Sequence, residues 1–185
     1  GGFLSYGACG LPYYVGGFND DYRKMIARTR ETFTKMGINT FLRHQVLSVD
    51  AERKEVLVKN LENGQEFKDT YDKLMIATGA SSVVPPFSGK ELMGVHVLKS
   101  MEDGIFLKEY AKLPEIRNVV IVGGGYIGVE CAEAFLNLGK KVRILEAATR
   151  ILAPFDEEMA ALAQEELVRS GVELNTGEKV EEFFG

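Results

Sequence analysis

An apolar run, Val119-Val120-Ile121-Val122, leads straight into Gly123-Gly124-Gly125-Tyr126-Ile127-Gly128-Val129-Glu130. Consecutive β-branched residues of this kind read as an apolar strand. The glycines behind it are spaced G-x-G-x-x-G, and each position has a steric reason. Gly123 allows the tight turn out of the strand, Gly125 lets the backbone approach a pyrophosphate, and Gly128 lets the next helix pack close to the sheet. The start of that helix then offers free N–H groups and the positive end of its dipole to an anion, with no basic side chain required.

The flanks point the same way. The helix predicted over Val129 to Leu138 turns Ala132, Phe135 and Leu136 toward a sheet and stops at Gly139, a residue suited to the left-handed C′ position. The strand Lys141 to Leu145 then ends in Glu146. That acid lies about 20 residues beyond the first glycine, where this fold uses a carboxylate to bind the ribose hydroxyls of NAD. A carboxylate there pairs with a free 2′-hydroxyl and repels a 2′-phosphate, which predicts NADH over NADPH. A glycine turn in some other βαβ unit, with Glu146 as a solvated strand end, would not require strand, spacing, helix and acid together.

With 185 residues and an apolar fraction of 45%, the chain can build a core as one large domain or two small ones. No apolar run reaches the ~20 residues that span a bilayer, and the first residues lack a signal-peptide pattern, so a cytoplasmic location without a membrane partner is expected. A net charge of −5 and scattered basic residues exclude a nucleic-acid role. Cys9 and Cys131 show neither CxxC nor Cys/His spacing, which leaves no disulfide framework and no metal site. Cys131, inside the predicted nucleotide-binding helix, reads as a small buried hydrophobe.

The first half reads as one helix and several strands. Asp20 and Asp21 cap a helix from about Tyr22 to Met36, with Met25, Ile26, Thr29, Phe33 and Met36 at helical spacing and Gly37 as the stop. Strands are predicted at about Asn39 to Phe41, Gln45 to Asp50, Glu55 to Asn60 and Gln65 to Thr70, the last two joined across Glu62-Asn63-Gly64 as a hairpin. A more apolar strand over Tyr71 to Ala77 ends in Thr78-Gly79-Ala80, and Pro85-Pro86 breaks regular structure. Ser100 can cap a helix reaching Ala111. A helix from Asp156 to Arg169 and a short strand at Val172 to Leu174 follow Glu146. The fold class is therefore α/β, with two incomplete Rossmann-like units, the first carrying an antiparallel meander; the division falls at residues 1–98 and 99–185.

Ser5-Tyr6-Gly7-Ala8-Cys9-Gly10-Leu11-Pro12-Tyr13-Tyr14 sets a cysteine among glycines just before a possible helical turn. A helix start there favours thiolate over thiol. A buried, inert thiol in a glycine-rich loop is the other reading, and composition leaves both open.

At these residues the chain resembles the single-cysteine branch of the flavin- and pyridine-nucleotide-dependent disulfide oxidoreductases, with coenzyme A-disulfide reductases looking closest. The matching elements are Ser5-x-x-x-Cys9-Gly10-Leu11-Pro12-Tyr13-Tyr14, Ala77-Thr78-Gly79-Ala80 with Pro85 behind it, and the Gly123 to Glu130 fingerprint with Glu146. The resemblance implies residues 1–98 as part of an FAD-binding domain and 99–185 as part of an NAD(P)-binding domain. It implies FAD and NADH or NADPH as cofactors, with electrons passing to one redox sulfur rather than to a CxxxxC pair. Carried over position by position, Cys9 is the redox center and Ser5 its neighbour one turn away. Thr78 and Gly79 lie near FAD, while Gly123, Gly125, Ile127, Gly128 and Glu146 hold the nicotinamide nucleotide. Tyr126 resembles the aromatic that covers the flavin, and Glu130 the acid near the nicotinamide amide; as plain residues they are a helix-start packing group and a helix surface acid.

Family members carry further elements on both sides of this stretch: a first glycine-rich turn for the FAD pyrophosphate, and a dimerisation domain with substrate-site tyrosines. The expectation is therefore a fragment of a homodimeric enzyme, inactive by itself and a poor FAD binder. The leading expectation for the parent is reduction of coenzyme A disulfide or a related persulfide or polysulfide. An NADH oxidase or peroxidase, acting on oxygen or peroxide through a Cys9 sulfenic acid, is the alternative within the fold. A catalytically silent nucleotide-binding module is the alternative of another class.

Overall fold

The computed structural model describes residues 2–184. In chain order its elements are β1 (Ser5–Tyr6), α1 (Leu11–Val15), β2 (Ile26–Arg28), α2 (Arg30–Lys35), β3 (His44–Asp50), β4 (Glu55–Asn60) and β5 (Glu66–Thr70). They continue as α3 (Met101–Ala111), β6 (Asn118–Val122), α4 (Tyr126–Asn137), β7 (Lys141–Glu146), α5 (Glu157–Arg169) and β8 (Glu173–Thr176). The chain packs as two compact units. One joins the residues up to Tyr6 with Ile26–Ala80, and the other joins Gly7–Met25 with everything from Ser81 onward. Packing thus divides the chain near residue 80 and sends the Cys9 segment to the second unit.

In the first unit β3, β4 and β5 form an antiparallel meander in that order. The predicted hairpin is present, with Gly64 supplying the positive φ of 77° that its turn requires. Three expectations here are corrected. The helix over Tyr22 to Met36 is interrupted: Ile26–Arg28 is a strand pairing with Ser5–Tyr6, so its backbone groups serve a ladder rather than a helix. Thr29, extended at φ −87° and ψ 168°, then caps the shorter helix α2 by accepting from the Thr32 N–H. The segments Asn39 to Phe41 and Tyr71 to Ala77 are not strands, since neither finds a pairing partner among the described residues, and Met75 and Ile76 stand exposed.

In the second unit β6, β7 and β8 form a parallel sheet in that order, joined by α4 and α5. Its core gathers Ala132 and Phe135 of α4, Val142 and Ile144 of β7, Ile151, Leu167 of α5 and Val172, all buried. Full burial of each large side chain among them contributes about 1.5–3 kcal/mol. Helix α4 buries Ala132 and Phe135 in this core, sets Ala134 against Gly16, and ends before Gly139 at φ 71°. Helix α3 begins in the predicted place with a complete capping box: the Ser100 hydroxyl accepts from Asp103 N–H, and the Asp103 carboxylate accepts from Ser100 N–H.

Candidate functional site

Strand β6 delivers the chain to the glycine loop at the carboxyl edge of the parallel sheet. Gly123 turns there with φ 108°, and its N–H donates to the Leu145 carbonyl at 2.8 Å. At Gly128 a Cβ would run into the Gly123 carbonyl oxygen, so the third glycine lets α4 fold back over the turn. At Gly124 a Cβ would run into Ile151. Gly125 is different: nothing lies within 4 Å of where its Cβ would stand. As the N-cap of α4 it has no side chain to occupy the first-turn N–H groups, and the position a side chain would take there is open. Such a cradle fits a dinucleotide pyrophosphate.

Glu146 brackets the loop from β7. Its Oε2 accepts from Gly124 N–H at 2.6 Å and its Oε1 from Ala148 N–H at 2.7 Å. Both are charge-assisted, so the carboxylate is fixed at the lip of the cradle. Sequence reasoning placed the acid there but missed the segment that follows it. Leu152, at φ 49°, donates its N–H to the Gly124 carbonyl at 2.8 Å. Arg150 forks onto the carbonyls of Phe155 (2.7 Å) and Ala153 (3.1 Å), tying this loop into a compact bend. The bend sets the Phe155 ring edge-on to Tyr126, centroids 5.6 Å apart. Pro154 and Asp156 mark a turn before α5, but nothing in the local sequence announces that it closes against the glycines. Tyr126 and Ile127 remain exposed at the start of α4, and Glu130 is half-buried one turn further on.

Gly123, Gly125, Tyr126, Ile127, Gly128, Glu130 and Glu146 are thus brought together in the second unit. Cys9 lies in the same unit, exposed within a 3-10 turn over Ala8–Gly10 that leads directly into α1, with Gly10 as the cap and Pro12 in the first turn. Cys131 is buried in α4, where burial first, and then the Glu130 carboxylate, push its thiol up to about 12. Burial thus keeps it a protonated thiol, which agrees with the reading of Cys131 as a small buried hydrophobe. Ser5 stands on β1 opposite Arg28, on a strand rather than on a helical turn shared with Cys9, and belongs to the first unit. Thr78 and Gly79 also belong to the first unit and are exposed, Gly79 at φ 73° with open space around it.

A parallel β-turn-α-β unit with a glycine cradle and a carboxylate at the next strand end defines a dinucleotide-binding α/β protein. The comparisons with known proteins narrow this. The sequence pattern of the pyridine nucleotide-disulphide oxidoreductases matches residues 1–185, and the chain belongs to that family. It is 33% identical to an NADH oxidase of Enterococcus faecalis over 97% of its own length, and 36% identical to an NAD(P)H coenzyme A polysulfide/persulfide reductase of Pyrococcus horikoshii over 89%. It spans 40% and 36% of the lengths of those two relatives. The solved structure of a water-forming NADH oxidase from Lactobacillus brevis bound to NADH is similar over 97% of this chain and 40% of its own, with 32% identity and a TM-score of 0.90. Among the described residues no helix is long and apolar enough to cross a membrane.

Proposed function

We propose that the chain supplies the redox-cysteine segment and the nicotinamide-nucleotide cradle of a cytoplasmic FAD-dependent NAD(P)H oxidoreductase that reduces coenzyme A disulfide or a related persulfide at Cys9. One observation carries the reading: of the two cysteines, one is exposed on a turn among glycines in the same unit as the cradle, and the other is buried and held protonated. Residues 1–98 are assigned to the FAD side, with Thr78 and Gly79 against the flavin. Residues 99–185 are assigned to the nicotinamide nucleotide, with Gly123, Gly125, Ile127 and Gly128 around the pyrophosphate and Glu146 on the ribose.

When bound, NADH supplies a hydride and FAD relays its two electrons one site onward. The chain's own residues do the rest. The N–H groups at the start of α4 hold the phosphates, and Glu146, fixed by Gly124 and Ala148, presents its remaining lone pairs to ribose hydroxyls. Tyr126, half-exposed and propped by Phe155, can swing aside for the nicotinamide while the fold stays intact. The Cys9 thiolate attacks one sulfur of the substrate disulfide; that S–S bond breaks, one thiolate leaves, and a mixed disulfide forms at Cys9. Two electrons delivered to the Cys9 sulfur break the mixed disulfide, release the second thiolate, which takes a proton, and restore the Cys9 thiolate.

A second reading is favoured by the similarity to NADH oxidases: Cys9 cycles through a sulfenic acid and the oxidant is oxygen or peroxide. Steady-state assays of the full-length enzyme separate the two. Turnover of coenzyme A disulfide that vanishes in Cys9→Ser supports the reductase. Oxygen consumption with no disulfide turnover supports the oxidase. Retention of both activities in Cys9→Ser removes Cys9 from either.

A further inference from the structure

The Cys9 turn has little to hold it in place by itself. It is exposed, begins after Gly7 and ends at Gly10, and leans on Met25. Gly7 N–H donates to the Met25 carbonyl at 2.9 Å, and the missing Cβ of Gly10 leaves room for Met25 Sδ, which would stand 3.1 Å from it. The sulfur therefore takes its position from α1 behind it and from the 19–25 stretch beneath it.

Lys108 of α3 reaches both of these supports. It is a buried cation, only 4% exposed, in a helix face that otherwise packs small and apolar groups. Its Nζ donates to the Asn19 carbonyl at 2.9 Å and to Asp20 Oδ1 at 3.2 Å, and lies 4.3 Å from the centre of the Tyr14 ring of α1. The Asp20 carboxylate is itself 90% exposed and screened by water, so the carbonyl and the ring face do the holding inside. Burying an ammonium carries a desolvation cost that an aliphatic side chain at this helix contact would not incur. What the ammonium adds is a bond to two separate pieces of chain at once. The other fastenings of α1 complete the frame. Asn137 of α4 donates its amide to the Gly16 carbonyl at 2.7 Å, and Gly16 lies so close to α4 that a Cβ would stand 2.7 Å from Ala134 Cα. Gly104 of α3 makes the same allowance for Leu11, whose Cδ2 would lie 2.8 Å from a Cβ there.

We propose that Lys108 is a positioning residue for Cys9, holding α1 through the Tyr14 ring and the 19–25 stretch through the Asn19 carbonyl, and so setting where the sulfur is presented. This rests on the reading of Cys9 as the redox sulfur, but its test needs no turnover. Hydrogen exchange at Gly7 and Gly10 and the iodoacetamide alkylation rate of Cys9, read by mass spectrometry with buried Cys131 as internal control, are compared in the parent chain, Lys108→Met and Leu167→Ala. Lys108→Met should speed exchange at Gly7 and Gly10 by about tenfold and alkylation of Cys9 by about threefold, with the β6 to β8 amides unchanged. Leu167→Ala should lower the melting temperature without touching either readout. Should Lys108→Met fail to fold, Tyr14→Leu supplies the same test from the other partner, and Tyr14→Phe, which keeps the ring face, should match the parent. Parent values at Gly7, Gly10 and Cys9 in Lys108→Met, or equal loosening of every segment, would overturn the proposal. A Cys9→Ser enzyme that still reduces coenzyme A disulfide would remove the functional reading and leave this result standing.

Discussion

Glu146 and Gly124 are joined by a hydrogen bond of 2.6 Å, from the glycine N–H to the carboxylate, and the same carboxylate holds Ala148 N–H with its other oxygen. The acid proposed to bind the ribose is therefore also the clasp that shapes the glycine loop. Replacing it removes two acceptors from backbone donors, which costs about 1–3 kcal/mol at the buried Gly124 N–H and little at exposed Ala148, where water can take over. Glu146→Arg should shift binding from NADH toward NADPH, because the carboxylate that repels a 2′-phosphate is replaced by a cation, and should also lower the unfolding midpoint. Glu146→Gln, which retains one acceptor oxygen, should lose less stability. Fluorescence titrations with both nucleotides and urea denaturation check the pair. Equal NADH and NADPH affinity in the parent would remove the specificity role.

The second and third glycines of the motif should fail differently. Gly128→Ala sets a methyl against the Gly123 carbonyl oxygen, so the fold itself should lose about 1–3 kcal/mol. Gly125→Ala meets nothing within 4 Å, so the unfolding midpoint should stay near that of the parent while NADH affinity falls, because the methyl enters the space proposed for the phosphates. Binding that survives Gly125→Ala would place the pyrophosphate elsewhere.

From Val119 to Glu146 the fold was legible because every local signal agreed: an apolar strand run, glycines with steric duties, a helix with Ala132 and Phe135 on its buried side, a left-handed stop at Gly139 and an acid at the next strand end. Between Tyr22 and Met36 those signals misled. Met25, Ile26 and Thr29 have helical spacing, yet Ile26–Arg28 pairs with Ser5–Tyr6, a contact from outside the window that overrides the local pattern. Asp20, read as a helix cap, instead faces Lys108 across a long separation in sequence. The bend at Leu152 and the Arg150 fork were equally invisible. Both are satisfied by backbone carbonyls, which leave no trace in residue type. Cys9 was singled out by the motif around it and Cys131 set aside by its place on a helix face expected to pack on the sheet; only the burial of Cys131 bears on these readings, and it agrees with the second.

Tyr126 packs on Phe155 alone among aromatics near the cradle in the described residues, and remains 53% exposed. Truncating it should therefore cost the fold no more than about 1 kcal/mol. In the full-length enzyme Tyr126→Ala should alter NADH binding and flavin reduction, and Phe155→Ala, which removes the prop, should act in the same direction more weakly. Stopped-flow reduction rates equal to the parent in both variants would leave the pair as surface packing.

Cys131 carries a pH signature. Its thiol is pushed up to about 12 in the folded chain, whereas an unfolded cysteine titrates near about 8.5. The folded state thus keeps a proton that the unfolded state gives up. The associated stability is fully present below about pH 8.5 and falls as the pH climbs toward 12. Between about pH 8 and pH 10.5 the parent should lose roughly 2 kcal/mol more unfolding free energy than Cys131→Ala loses over the same range. Parallel pH profiles for the two proteins would show that the thiol is not held protonated by burial.

The account turns on Cys9 as the sole redox sulfur, and mass spectrometry of the oxidised protein with and without dithiothreitol tests that most directly. After exposure to coenzyme A disulfide or peroxide, an adduct or a sulfur oxide should map to the peptide containing Cys9, and the mixed disulfide should be released by dithiothreitol. The Cys131 peptide should remain an unmodified thiol throughout. Modification that maps to Cys131, or a Cys9 peptide that stays unmodified under conditions where the full-length enzyme turns over, would contradict the assignment.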